Sequence, residues 1–192
     1  MFKRTILVIA LGLFSTAAFA KSVPYQIDSN HTQINFTYSH FGFSDITDRF
    51  NQVTGEFILD SADLGKSSIS VTIPIDSIST GVPKLDEHLK SADFFDAAKF
   101  PTATFKSTKV QTAGDNKLKV SGDLTIHGVT KPVVLDVTVN KIGMHPMAKV
   151  AAAGFDASVT LLRSDFGVGN YAPGVSDQVK LQITMEARQS QP

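Results

Sequence analysis

Three observations predict an all-β domain, an extended eight-stranded antiparallel barrel with one short helical insertion. Apolar and polar residues alternate through most of the chain, the alternating stretches are joined by short turn-like links, and only one segment carries a helical period. A strand sends successive side chains to opposite faces, so each stretch has one apolar face to bury. Closing the strands into a barrel buries those faces together and removes the sheet edges.

The first alternation sets Thr32, Ile34, Phe36, Tyr38 and His40 on one face and Gln33, Asn35, Thr37 and Ser39 on the other. It returns in Gly55, Phe57 and Leu59, in Ile69, Val71, Ile73 and Ile75, and in Ala103, Phe105 and Ser107. Then come Leu118 to Ile126, Val133 to Val139, Ala151 to Leu161, and Val179 to Met185, which brings the count to about eight strands. Links such as Ala113-Gly114-Asp115-Asn116 are short, so sequential antiparallel pairing is the economical topology. Between the third and fourth strands, Leu85, His88, Leu89 and Ala92 fall on one face of a helix over residues 83–92. Pro83 stands near its start and Pro101 beyond its end. The adjacent rings of Phe94 and Phe95 then mark a loop packed on something apolar.

The chain has 192 residues, 18 basic and 18 acidic, with no Cys, no Trp and 14 Phe. Residues 1–20 read as a secretory signal: Lys3 and Arg4, an apolar run from Ile6 to Phe14, and small residues ending at Ala20. Cleavage there predicts one mature domain, residues 21–192, with a net charge of about −2, exported to the periplasm without a stable membrane span. Near-neutral charge without a Lys/Arg run argues against nucleic-acid binding. The absence of Cys excludes disulfides, thiolate zinc sites and a Cys nucleophile. An outer-membrane barrel would turn its apolar face to lipid and carry aromatic girdles, for which three Tyr and no Trp are too few.

Chemistry-bearing motifs are sparse. Neither G-x-S-x-G nor S-x-x-K is present, and no His pair stands at a zinc spacing, so no catalytic or metal-ligating residue is assigned. Asp86-Glu87-His88 and Arg163-Ser164-Asp165 group acids, bases and hydroxyls, but neighbours in sequence do not face one another, and surface salt links are their expected use. His31 and His145 sit in turns, and His127 closes a strand. His40 is in phase with Ile34, Phe36 and Tyr38. It is expected either as a core His bonded to a backbone carbonyl or as a polar contact for a ligand at the cavity mouth.

Ser39-His40-Phe41-Gly42, the run Asp86 to Asp96, Lys99-Phe100-Pro101, the run Gly122 to Pro132 and Asp165-Phe166-Gly167 together resemble the YceI-like family over roughly residues 23–187. The resemblance implies a lipocalin-like barrel, exported to the periplasm, that holds a long isoprenoid chain in an internal tunnel. The chain departs from the family's usual pattern at Asp48, where Gly is common, and at Leu85, where a basic residue is common.

The expected function is binding, shielding or transport of a polyisoprenoid, a quinone or polyprenyl diphosphate, without covalent chemistry and with no cofactor beyond the bound lipid. Phe36, Tyr38, His40, Phe57, Phe105, Leu135 and Val137 are the expected ligand-binding wall, Phe94 and Phe95 a lid or end wall, and His40, Lys84 and Lys90 the head-group candidates. Another amphiphile, such as a fatty acid or amide, fits the same apolar wall, and an enzyme acting on a bound lipid through His40 is a further alternative. A homodimer and transient contact with membrane redox or lipid-handling proteins are left open.

Overall fold

The computed structural model describes residues 22–190; the proposed signal segment lies outside them. Eleven strands form one antiparallel sheet: β1 (Val23–Ile27), β2 (Gln33–His40), β3 (Ser44–Phe50), β4 (Thr54–Leu59), β5 (Ser68–Pro74), β6 (Ile78–Ser79), β7 (Thr102–Thr112), β8 (Lys117–Ile126), β9 (Val129–Met144), β10 (Ala151–Leu162) and β11 (Gln178–Gln189). One helix, α1 (Pro83–Lys90), lies between β6 and β7. No described helix is long and apolar enough to cross a membrane.

The eight-stranded closed barrel is present, with one change in membership. The ring runs β1-β4-β5-β7-β8-β9-β10-β11 and closes through β1–β11, where Tyr25 to Ile27 pair with Gln189 to Ala187. The alternation that opens the sequence pattern, β2, is not in this ring. It pairs with the first half of β11 (Gln33 to Thr37 against Thr184 to Lys180), while β1 takes the second half. β1 and β2 thus lie end to end along one neighbour, and β2, β3 and β6 carry the wall at the other end of the barrel.

Three strands escaped the period-two pattern, each for a physical reason. β1 is five residues long with Pro24 at its second position, a residue that lacks the ladder N–H and marks strand starts and edges. β6 has two residues. β3 turns Asp48 inward between Ile46 and Phe50, so the one buried carboxylate on that strand erases the apolar alternation. The helix ends at Lys90, two residues before the expected end, where the Ser91 hydroxyl and N–H both bond the His88 carbonyl and stop the helical ladder.

The core is continuous with the barrel interior. At one end Tyr25, Phe57 and Phe155 pack ring against ring, with centroids 5.9 and 5.5 Å apart, over Leu59 and Ala187. Burying aromatic rings of this size removes more apolar surface from water than any other side chain can, so these contacts seal that end. Midway, Gly122 of β8 lies under the Phe105 ring: a Cβ there would stand 2.4 Å from Phe105 Cζ, so only glycine admits the ring.

Candidate functional site

A cavity of about 550 Å³, open at one end, occupies the barrel interior, within the ~300–1,000 Å³ range of small-ligand sites. Nine strands, all but β1 and β6, and the helix contribute to its wall, and Leu, Ile, Val and Phe supply most of the lining. All nine residues expected to touch a ligand line it: Phe36, Tyr38, His40, Phe57, Phe94, Phe95, Phe105, Leu135 and Val137. The period-two rule reaches the seven on strands, because a barrel turns every same-face residue of a strand to the same interior; Phe94 and Phe95 lie in the turns after the helix.

Phe94 and Phe95 close the end opposite the Tyr25–Phe57–Phe155 seal. Phe94 is buried, and Phe95 meets Phe50 edge to face at 5.8 Å. Leu85, His88 and Leu89 of α1 face the same space, so the helix's apolar stripe covers the mouth. The His88 ring lies edge-on to Phe94 at 5.1 Å and to Tyr171 at 6.3 Å. The Asn170 side chain donates to the Asp93 carbonyl, tying the loop that follows β10 to the segment that follows the helix. At the rim, the Phe41 ring occupies the place a Cβ on Gly174 would take, and Phe43 beside it is 91% exposed.

The ionisable groups of the lining gather at this mouth, while the hydroxyls of Thr32, Ser67 and Ser68 line it elsewhere. Tyr38, His40, His88, Arg163 and Tyr171 are the ionisable residues that line the cavity, and no Asp, Glu or Lys does. His40 is neither buried nor bonded to a carbonyl through its ring. It sits exposed at the last position of β2, edge-on to Phe41 at 4.8 Å, at the mouth and not within the core. Lys84 and Lys90 stand on the helix outside the lining. The cation that does line the cavity is Arg163, which the sequence reading assigned to a surface salt link.

Arg163 instead organises the mouth loop. Its guanidinium donates to the backbone carbonyls of Ser176 (2.9 Å), Val168 (2.9 Å), Asn170 (3.2 Å) and Val175 (2.8 Å). The 3-10 turn Arg163–Phe166 puts the side chain inside the loop it holds. A planar fork of five donors suits carbonyls converging from several directions, a role that spacing along the chain does not reveal. Its neighbours are bonded separately: Ser164 Oγ donates to Asp177 at 2.6 Å, and Asp165 faces Lys131 at 3.9 Å on the surface.

Behind Tyr38 lies the group that most departs from the rest of the interior. Asp48 is 3% exposed, and the Tyr38 hydroxyl donates to its Oδ2 at 3.0 Å. Burial raises the Asp48 pKa and outweighs the Tyr38 hydrogen bond, which lowers it; the Asp86 charge adds a smaller rise. Burial, with the neighbouring Asp48 carboxylate, likewise pushes the Tyr38 hydroxyl far above the ordinary tyrosine value. Burial lowers the pKa of Arg163, against the pull of Asp177 and Tyr38.

Away from the cavity, Asp28, His31 and Glu186 bring three metal-type ligand atoms within 4.8 Å of one another. Arg188 Nη2 already sits 2.7 Å from Asp28 Oδ2, and His31 Nδ1 lies 3.0 Å from the same oxygen. The carboxylate therefore has a resident cation, and the cluster reads as an ion-pair network at the sealed end.

Comparison with known proteins places this architecture. The chain is 38% identical over 190 residues to a UPF0312 protein of Vibrio cholerae, covering 97% of this chain and 99% of that one. Its fold matches the crystal structure of BcnA from Burkholderia cenocepacia with a TM-score of 0.76 at 26% identity, over 83% of this chain and 98% of the other. A polyisoprenoid binding domain from Saccharophagus degradans shares the fold alone, with a TM-score of 0.69 at 17% identity over 88% and 99% of the two chains. The YceI-like domain profile matches residues 25–187, nearly every residue that builds the barrel and its mouth, and the chain therefore belongs to the YceI-like family.

Proposed function

We propose that this protein binds and shields a long-chain polyisoprenoid in the barrel interior, in the periplasm and without covalent chemistry. The observation that carries the reading is the cavity itself: about 550 Å³ of largely apolar space inside the barrel, with its ionisable side chains collected at the mouth. That is the distribution an amphiphile with a long apolar tail and a small polar head requires. The Saccharophagus degradans domain that shares the fold is described as polyisoprenoid binding, which supports the same ligand class.

The energetics explain why such a carrier is needed. At ~0.8 kcal/mol per buried methylene equivalent, each five-carbon unit gains roughly 4 kcal/mol on leaving water. A chain of several units does not cross an aqueous compartment unaided at a useful rate. The lining of Phe36, Phe57, Phe105, Leu135 and Val137 supplies the apolar phase, and Phe94 and Phe95 with α1 close it. Exported location follows from the leader-like residues 1–20.

Native mass spectrometry of the protein purified from its own periplasm is expected to show a bound lipid of polyprenyl mass. Protein recovered without lipid that also fails to take up polyprenyl quinones or polyprenyl diphosphates would refute the proposal.

A further inference from the structure

The mouth of the cavity has a chemical bias that its shape does not convey. In an apolar tunnel the tail is bound with little discrimination, because every wall residue accepts every methylene; the head group is where one lipid is told from another. The groups available to do this are Tyr38, His40, His88, Arg163 and Tyr171. When neutral, His40 and His88 each offer one donor and one acceptor, so they do not set the sign of the preference.

Arg163 is the permanent cation of the lining, yet it has little left to give. Its contacts with the carbonyls of Ser176, Val168, Asn170 and Val175 use four of the five N–H groups of a guanidinium. An anion such as a diphosphate is normally held by a bidentate fork or several converging donors, and this fork is turned into the loop.

Asp48 works in the opposite direction. Its carboxylate is 3% exposed, behind the cavity wall, and accepts from Tyr38 at 3.0 Å. Among the described residues no Lys, Arg or His lies within ion-pair distance of it, and Asp86 adds a second negative charge to its surroundings. Because Tyr38 spends its proton on Asp48, the hydroxyl oxygen presents only acceptor capacity to the cavity. The mouth therefore sets a buried carboxylate without a paired cation and an acceptor-only hydroxyl beside a guanidinium whose donors are mostly spent on the loop.

We propose that Asp48 and Tyr38 make this cavity select an uncharged, hydrogen-bond-donating head group, an alcohol, quinol or primary amide, over an anionic one such as a diphosphate. The inference rests on the polyisoprenoid reading and narrows it to one head-group class. Asp48 is the specificity-determining residue and acts through Tyr38, which touches the head group.

The test uses the full mature protein and two lipids with one tail, geranylgeraniol and geranylgeranyl diphosphate, in competition read by native mass spectrometry. The alcohol is expected to outcompete the diphosphate by about tenfold or more. Asp48→Asn removes the charge and keeps an acceptor for Tyr38, so the ratio should fall toward one. Tyr38→Phe should weaken the alcohol several-fold while leaving the diphosphate excluded. A wild-type protein that takes the diphosphate as well as the alcohol overturns the inference and leaves the lipid-binding reading standing; so does an Asp48→Asn protein that keeps the wild-type ratio. Failure of both lipids to enter overturns the reading and the inference with it. Should a variant fail to fold, the wild-type ratio alone decides.

Discussion

The two ends of the barrel solve opposite problems with the same strands. At the sealed end Tyr25, Phe57 and Phe155 interlock, β1 closes the ring on β11, and the charges of Asp28 and Arg188 are paired at 2.7 Å. At the mouth the wall is carried by β2, β3 and β6, the aromatic residues Phe41 and Tyr171 stand at a half-open rim, and the buried Asp48 has a tyrosine and no cation as its partner. An end built to be stable satisfies its charges and fills its volume. The other end leaves room and a buried carboxylate without an ion-pair partner among the described residues.

That contrast can be broken at several points. The largest effect is expected at the seal: Phe57→Ala removes a ring that touches Tyr25 and Phe155 and should cost about 3–5 kcal/mol, read as a lower urea midpoint with an unchanged slope. Little change would mean that the sealed end does not hold the barrel together. Next is Arg163→Met, which leaves four carbonyls of the mouth loop without their donor. A loss of about 2–3 kcal/mol is expected, with faster hydrogen exchange confined to residues 163–177 and the sealed end still protected.

Protonation separates the ends further. The Asp48 pKa is raised in the folded protein, so the native state binds its proton more readily than the unfolded chain does. Stability associated with Asp48 is then present at low pH and is lost as pH rises through its folded value. Asp28 is shifted down, the hydrogen bonds from His31 and Asn30 and the Arg188 charge together outweighing its desolvation; its contribution is present above the unfolded carboxylate range and is lost as pH falls. Asp48→Asn should therefore raise the thermal midpoint at about pH 7, and the gain should shrink toward about pH 4. Asp28→Asn should lower the midpoint at neutral pH, with the deficit shrinking in acid. Parallel pH profiles for the two variants would contradict the assignment. The smallest effect is expected from Lys84→Ala and Lys90→Ala, which lie outside the lining: lipid uptake within about twofold of wild type and stability within about 0.5 kcal/mol.

Most of the cavity wall was legible in the sequence because alternation is a local property. Phe36, Phe57, Phe105, Leu135 and Val137 share the inward phase of their own strands, and any closed barrel turns them to one interior. The mouth was legible only in part. His40 was correctly in phase, but a residue at the last position of a strand is exposed whichever face it shares. Arg163 and Asp48 carried no usable signal: each looks like an ordinary surface charge in sequence, and each meets its partners only when a loop or hairpin folds back on it, Arg163 at 5 to 13 residues and Asp48 at 10. β3 was hidden for the same reason, since its inward carboxylate breaks the pattern by which strands are found.

The sequence by itself determined that this chain would form antiparallel strands with one apolar face, close them into an eight-stranded barrel and cap the interior with a short helix and two phenylalanines. Those outcomes follow from side-chain period and hydrophobic burial, which act between neighbours along the chain. Only the tertiary structure decided which strand completes the ring, that Arg163 ties the mouth loop, and that Asp48 lies buried behind Tyr38. β1 and β11 meet across more than a hundred residues, and Arg163 and Asp48 meet nearer partners only where the chain folds back on itself, so no local pattern encodes which partner each will meet.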